Sequence, residues 1–303
     1  MQQITVRVPA STSNLGPGFD CLGVALSLYN NVTVSRGKRG AVSGMVRDAA
    51  RKFFAAAECR AFEFSCDIRG NIPIARGLGS SVTVRLGVLH ALNKIARTSL
   101  TRHELFTLCA ELESHPDNAA PASFGGFTLA RGLETQHFNV SSQLRFILLI
   151  PNFEIATNEA RRLLPAKISR AEAVQNVANA SAIATAFATR DYKKLCGRFV
   201  DYLHQPFRKK FVPFLDQVIE AAQRAGALGA FLSGSGPAIC AITLVSPKQI
   251  AGAMLRASRL RDAQTIVLRA DNLGARILKS TIRNPPFGKL RVLSLSQRKP
   301  KIQ

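Results

Sequence analysis

The chain has 303 residues, 47% of them hydrophobic, which predicts one large globular domain or two modest ones with a substantial core. This composition excludes a chain disordered throughout, and its longest apolar run, Phe146–Ile150, is far short of the ~20 residues that cross a bilayer. Forty-one Lys and Arg against nineteen Asp and Glu give a net charge of +22, which attracts phosphates, nucleic acid or acidic partners without specifying which.

The N-terminal segment alternates apolar and polar residues at Ile4, Val6 and Val8, which predicts a half-buried strand. The same alternation predicts strands at 32–34 and 62–68. The segment lacks the basic stretch followed by an apolar stretch that is typical of a secretion signal, so we expect a cytoplasmic protein.

From Ser80 the spacing of the apolar residues changes to three or four, which predicts an amphipathic helix. Its buried face would carry Val82, Leu86, Leu89, Leu92 and Ile95. A second helix is predicted at 102–113, followed by a polar turn at 114–118 and by strands near 127–131 and 144–150.

Beyond Pro151 the sequence becomes rich in alanine and predicts helices at 170–189, 191–203 and 213–225. A strand, loop and strand unit follows at 230–242, then a helix near 247–258 and a strand near 264–269. Helices and strands are interspersed without strict alternation, so an α+β fold is favoured over a doubly wound parallel sheet. We expect the domain boundary near 151–156 and a basic tail at 285–303.

The six cysteines form no CxxC pair and the five histidines form no HExxH motif. Structural zinc and a disulfide framework are therefore disfavoured, and reduced cysteines in a core are expected.

A glycine-bearing loop precedes the helix that begins near Ser80. It consists of Pro73, Ile74, Ala75, Arg76, Gly77, Leu78, Gly79, Ser80 and Ser81. Glycines let the backbone approach an anion while the free amides and the helix dipole face it, so the loop is typical of a phosphate cradle. It lacks the lysine of GxxxxGK[ST] and does not match GxGxxG. A tight turn in which Ser80 only caps the helix is the alternative.

Three further polar segments are candidates for a site. The loop Pro9–Asp20 offers the side chains of Asn14 and Asp20 to a small polar ligand, and Glu113–Asn118 contains carboxylates that suit Mg²⁺. The loop Ser233–Pro237 connects two predicted strands. A purely turn-forming role is the alternative for each segment.

Taken together and in this order, these motifs resemble the GHMP kinase superfamily, whose three motifs match Pro9–Asp20, Pro73–Ser81 and Ser233–Pro237. Within the superfamily, the strings at 8–20, 115–122, 160–165 and 204–208 are most similar to the homoserine kinase family. The resemblance extends from about residue 4 to about residue 278.

The resemblance implies a two-domain α+β GHMP kinase fold. A ribosomal-protein-S5-like N-terminal ATP-binding domain would occupy 1–153, and a ferredoxin-like C-terminal domain would occupy 154–284. It further implies a homodimer that converts ATP and L-homoserine to ADP and O-phospho-L-homoserine, a step of threonine biosynthesis.

The resemblance also implies residue roles. Residues 73–81 would bind ATP, and Ser81 and Glu113 would bind Mg²⁺, with Glu111 as the competing carboxylate. The substrate carboxylate would pair with Arg161 and Arg208, because guanidinium groups bind carboxylates bidentately. The remaining implied substrate-binding residues are Asn14 and Asp20 for the ammonium group, and His115 and Asn118 for placing the substrate. Asp20 and Asn118 are the implied catalytic residues, with Asp20 orienting the hydroxyl or accepting its proton.

The chain departs from the family pattern in its net charge, in the tail Lys289–Gln303 and in the stretch 36–58, which is shorter and more basic than expected. Two further departures lie within the motifs. Val82-Thr83-Val84-Arg85 stands where small alanines are usual, and Ser114 replaces a glycine. Two rival functions stay open: a GHMP-type kinase of another small alcohol, and a basic nucleic-acid-binding protein on the same fold. No recognition helix or aromatic-basic platform is present, so we expect nucleic acid to bind only as a non-specific polyanion.

Overall fold

The structure, a computed structural model, describes residues 2–37, 40 and 42–278. The strands are β1 (Gln3–Ser13), β2 (Leu22–Arg36), β3 (Phe64–Gly70), β4 (Phe127–Arg131), β5 (Glu134–Phe138), β6 (Arg145–Ile150), β7 (Gly229–Leu232), β8 (Ile239–Thr243), β9 (Gln264–Leu268) and β10 (Arg276–Ile277). The helices are α1 (Gly44–Ala56), α2 (Ser80–Ala96), α3 (Arg102–Glu113), α4 (Ala119–Phe124), α5 (Thr157–Arg162), α6 (Arg170–Thr189), α7 (Gln205–Arg208), α8 (Leu215–Arg224) and α9 (Pro247–Ser258). None of these helices is long and apolar enough to span a membrane.

The N-terminal sheet has the strand order β10-β1-β2-β4-β5, with β3 also paired to β2. Helix α2 packs on β1 and β2 through the apolar face predicted from its sequence, which includes Leu86 and Leu89. A Cβ at Gly87 would lie 2.4 Å from Val32 Cγ2, so the helix approaches β2 more closely than an alanine would allow.

The C-terminal sheet is antiparallel with the order β7-β8-β6-β9, which in chain order is the ferredoxin-like arrangement. Its strand β6 explains the apolar run at 146–150. Phe146 and Leu148 pack in a core shared with the first sheet, whereas Ile147 and Leu149 pack against α8 and α9. Because both faces of β6 are buried, its sequence is continuously apolar rather than alternating.

The chain passes between the sheets twice, once from β5 to β6 and once from β9 to β10. The Asn272 amide joins the two passages: its Nδ2 donates to Val140 O and its Oδ1 accepts from Val140 N, both at 2.9 Å. The domain boundary predicted between residues 153 and 154 stays a prediction. The strand positions do not follow that boundary in sequence. Strand β6, before residue 153, lies in the second sheet, and β10 returns to the first.

The helix predicted at 191–203 was wrong. A 3-10 turn at Tyr192–Leu195 is followed by Gly197 at φ +74°, and the chain stays irregular as far as His204. The side chain of Asp201 then accepts hydrogen bonds from the amides of Leu203, His204 and Gln205, which starts α7 instead.

The segment Pro9–Asp20 was predicted as a loop, but β1 continues through Ser13 after a register shift at Pro9/Ala10. The loop therefore begins at Asn14. The elements α1, α4, β5, α5, α7 and β10 were not predicted. The six cysteines are free thiols, as expected, but only Cys109 and Cys240 are buried, so the expectation that they lie in a core was wrong for the other four. The basic tail at 285–303 lies outside the described residues.

Candidate active site

The three glycine-bearing motifs, which are far apart in sequence, contact one another. Thr12 Oγ1 lies 2.8 Å from Ser233 Oγ, and that hydroxyl donates to Gly77 O at 2.7 Å. Ser11 N donates to Leu78 O at 3.2 Å. The end of β1, the loop before α2 and the loop between β7 and β8 therefore form one unit.

A cleft of about 420 Å³ opens beside this unit, between the two sheets' loops. Every candidate site residue except Pro73 lines it. Those residues are Asn14, Asp20, Ile74, Ala75, Arg76, Gly77, Leu78, Gly79, Ser80, Ser81, Glu113, His115, Asn118, Arg161 and Arg208.

The loop before α2 exposes the first amides of that helix to the cleft. Gly79 is the N-cap, with φ +67° and no side-chain hydrogen bond to the first turn, so the alternative in which Ser80 caps the helix was wrong. The first turn also contains no acidic residue. Helices α3 and α6, by contrast, begin with complete capping boxes. The amides of α2 are thus available to an anionic group.

Glu113 and Ser81 both line the cleft and are hydrogen-bonded to each other. Ser81 Oγ donates to Glu113 Oε2 at 2.9 Å, and Arg85 Nη1 forms an ion pair with Glu113 Oε1 at 2.8 Å. The alternative carboxylate, Glu111, is paired with Lys52 Nζ at 2.6 Å and does not line the cleft. Two hard oxygen donors, Ser81 Oγ and a Glu113 carboxylate oxygen, are therefore adjacent.

Asp20 and Arg161 form a bidentate ion pair. Arg161 Nη2 donates to Asp20 Oδ1 at 2.6 Å and Nη1 donates to Oδ2 at 3.0 Å. Both side chains remain about one-third exposed. Asn14 Oδ1 accepts from the Asp20 amide, and its Nδ2 donates to Gly234 O at 3.0 Å, so Asn14 ties the Asp20 turn to the C-terminal half.

Arg208 is 2% exposed and its Nη1 donates to Gly234 O at 2.9 Å. Burial, and then the charge of Arg161, lower the pKa of Arg208 to about 10, so it stays protonated at neutral pH. Burial also holds the pKa of His204 well below its ordinary value. Neutral His204 donates from Nε2 to Gly16 O and accepts from Arg208 at Nδ1. The ring of Phe19 stacks on His204 and lies under both Arg161 and Arg208, at 5.4 and 5.3 Å.

His115 and Asp117 form a pair at 3.0 Å between Nδ1 and Oδ1. Burial lowers the pKa of His115, but the hydrogen bond and the charge of Asp117 outweigh it, so the pKa is raised. The neighbouring Asn118 accepts from Ser11 Oγ at 2.8 Å and donates to Ser13 Oγ at 2.9 Å. Both amide atoms of Asn118 are thus oriented by β1.

Several cleft residues were not predicted. Phe19 was noted only as part of a matching string, and Asp117 only as one of the carboxylates in the segment Glu113–Asn118. The other unpredicted cleft residues include four apolar ones: Met45, Ile68, Val82 and Val84. Val82 was predicted, but only as part of the buried face of α2. These residues lie on separate elements, so sequence patterns could not have grouped them.

Comparison with known proteins gives the family. The model of the GHMP kinases N terminal domain matches residues 44–126, and that of the GHMP kinases C terminal domain matches residues 183–259. A homoserine kinase of Caldicellulosiruptor bescii is 36% identical over 296 residues, covering 90% of this chain and 96% of that protein. One of Aquifex aeolicus is 36% identical over 300 residues, covering 90% and 99%.

Among solved structures, a homoserine kinase from Cytophaga hutchinsonii superposes with a TM-score of 0.83 at 24% identity, covering 92% of this chain and 98% of that one. That likeness confirms the expected two-domain α+β fold. The identity and coverage of the relatives, together with the two family models, show that this chain belongs to the homoserine kinase family of the GHMP kinases.

Proposed function

We propose that the cleft is the active site of an ATP-dependent kinase that phosphorylates the side-chain hydroxyl of L-homoserine, giving ADP and O-phospho-L-homoserine. The observation that carries this proposal is that a single cleft contains two different sets of binding groups. Uncapped helix amides lie beside the glycine loop, and a carboxylate with two guanidinium groups lies beside the Asn14 turn. The first set suits phosphates and the second suits an amino acid zwitterion.

The ATP phosphates would lie against residues 73–81 and the first turn of α2. Gly77 and Gly79 both have positive φ, which glycine adopts without the strain that side chains incur. A Cβ at Gly77 would lie 2.0 Å from Ser233 O, and one at Gly79 would lie 2.4 Å from Ser11 Oγ. The loop therefore packs too closely against its neighbours to carry side chains at these two positions, and its backbone amides would bind the phosphates.

Mg²⁺ fits the donor set of Ser81 and Glu113. Magnesium prefers oxygen ligands and is commonly bound by one or two protein groups together with phosphates and water. When bound, Mg²⁺ would neutralise charge on the β- and γ-phosphates.

The zwitterion would bind by replacing the internal ion pair. Asp20 and Arg161 already satisfy each other, so a ligand that brings both an ammonium and a carboxylate can take one partner each without leaving a charge unpaired. The ammonium would face Asp20 and Asn14, and the carboxylate would face Arg161 and Arg208. A neutral alcohol would have to separate Asp20 from Arg161 without offering either side chain a charged partner in return.

Catalysis would depend mainly on positioning and charge neutralisation, which dominate phosphoryl transfer. Asp20 would orient the hydroxyl or accept its proton. Asn118 would place the hydroxyl beside the phosphates, because the serines of β1 fix its amide. His115, held by Asp117, would help to place the substrate.

The family also suggests a setting for this reaction. We propose that the enzyme acts in threonine biosynthesis in the cytoplasm, and that it forms a homodimer. Size-exclusion chromatography with light scattering tests the assembly directly.

The decisive experiment measures ADP release with L-homoserine, mevalonate, shikimate and sugars as acceptors, each against a blank without acceptor. L-Homoserine should be the preferred acceptor, and 3-amino-1-propanol, which lacks the carboxylate, should be poor. Homoserine at the level of the blank would refute the assignment. Equal rates with 3-amino-1-propanol would instead favour a kinase of another small alcohol.

A further inference from the structure

A guanidinium group stands directly behind the carboxylate assigned to Mg²⁺. Arg85 lies one helical turn after Ser81 on α2, and its Nη1 contacts both Glu113 Oε1, at 2.8 Å, and the Leu112 carbonyl. The Arg85 side chain is 17% exposed and that of Glu113 is 9% exposed. Glu113 lines the cleft, whereas Arg85 does not.

The position of Arg85 is determined by Glu113 rather than by a full set of its own hydrogen bonds. Its Nε is buried and makes no hydrogen bond to any described residue, which costs free energy. The ion pair and the Leu112 carbonyl therefore hold the guanidinium in place. The side chain neutralises the Glu113 carboxylate while leaving its Oε2 facing the Ser81 hydroxyl.

We propose that Arg85 prevents Glu113 from binding a free divalent cation, so that the metal enters the site only as its nucleotide complex. This inference rests on the proposed function, since it concerns the same metal site. The affinity of an oxygen site for a divalent cation depends on its ligand charge, and Glu113 with Arg85 contributes a net charge of zero. The guanidinium therefore offsets the attraction of the carboxylate for a bare Mg²⁺ ion, and the pair gives that ion little net electrostatic stabilisation.

The nucleotide complex experiences the opposite effect. Mg²⁺ bound to ATP carries a net negative charge, so the guanidinium offsets the repulsion that the Glu113 carboxylate alone would exert on the complex. Glu113 Oε2 and Ser81 Oγ stay available as ligands, because Arg85 occupies only the other carboxylate oxygen. Arg85 thus acts as a positioning residue that selects which form of the metal can bind.

The test is a titration of the nucleotide-free full-length protein with Mn²⁺, in which free Mn²⁺ is read by electron paramagnetic resonance. Wild type and Arg85→Lys, which keeps the charge, should bind Mn²⁺ weakly. Arg85→Met, which keeps the length and removes the charge, should bind one equivalent at least tenfold more tightly. Arg85→Met/Glu113→Gln should lose that binding, which assigns it to the Glu113 carboxylate.

Two results would overturn the proposal: tight binding of one Mn²⁺ by the nucleotide-free wild type, or equal affinities of wild type and Arg85→Met. The wild-type titration decides the first point even if Arg85→Met does not fold, and Arg85→Gln serves as a second neutral variant. The measurement uses neither ATP nor homoserine. A kinase with a different acceptor would therefore leave this result readable, and a failed Mn²⁺ prediction would leave the acceptor assignment standing.

Discussion

Replacing Gly77 by alanine tests whether the glycine loop depends on its close contact with the loop between β7 and β8. Gly77 has φ +72°, and its Cβ would lie 2.0 Å from Ser233 O, 2.9 Å from Gly236 N and 3.1 Å from Gly236 O. All three neighbours are backbone atoms. Restoring an ordinary contact of 3.4 Å to Ser233 O requires a shift of about 1.4 Å.

The matched control is Gly197→Ala. Gly197 has φ +74°, nearly the same backbone conformation, but no atom lies within 4 Å of its Cβ position. Both variants incur the left-handed penalty of about 1–2 kcal/mol. Only Gly77→Ala adds an overpacking cost, typically about 1–3 kcal/mol. We therefore expect Gly77→Ala to lose about 2–5 kcal/mol of unfolding free energy and Gly197→Ala about 1–2 kcal/mol.

The assay is equilibrium unfolding in urea, with the midpoints and slopes of both variants compared to wild type. The KM for ATP, measured in parallel, should rise only in Gly77→Ala, because the displaced loop is the one assigned to the phosphates. Equal midpoints for the two variants would show that the backbone contacts of Gly77 do not constrain the loop, and would refute the reasoning.

Three further predictions concern the acceptor end of the cleft. Arg161→Ala should raise the KM for L-homoserine about tenfold or more, because a hydrogen bond to a charged group is worth about 1.5–3 kcal/mol. The KM for ATP should change little. An unchanged KM for L-homoserine would contradict the assignment of Arg161 to the substrate carboxylate. Phe19→Leu should raise the same KM several-fold because the cation–π contacts to Arg161 and Arg208 are lost. Phe19→Tyr should restore it, and equal defects in the two Phe19 variants would count against the ring. The pKa of His115 is raised, so the stability that its protonation adds is complete below its ordinary value of 6.5 and declines as the pH rises through the raised pKa. The stability difference between wild type and His115→Gln, from urea unfolding at pH 5.5 and 8.5, should be larger at the lower pH; a constant difference would contradict this.

The sequence predicted those parts of the molecule whose signals are local. Helix α2 has apolar residues at helical spacing, and α3 was predicted with the bounds that the structure has. The apolar run of β6 and the glycine loop at 73–81 were also recognisable. Each of these elements leaves a signal within a short stretch of sequence, so short-range patterns suffice to find them.

The sequence could not predict pairings between distant residues. Arg161 and Asp20 are separated by 141 positions, and each was assigned to a different group of the substrate rather than to the other. The pairing of Arg85 with Glu113 depends on how α3 packs against α2, which no periodicity encodes. The helix predicted at 191–203 failed for a related reason, because Asp201 caps a later turn and Gly197 interrupts the chain before it.

The two hydrogen bonds between the Asn272 amide and Val140 have a mechanical consequence for the chain crossings between the sheets. The polypeptide crosses from one sheet to the other at two places that are distant in sequence, yet one amide side chain fastens the crossings together at Val140. Because the two crossings are joined, a displacement of one is transmitted to the other. The core that the two sheets share opposes their separation as well, so we expect the crossings to lose their protection from hydrogen exchange together.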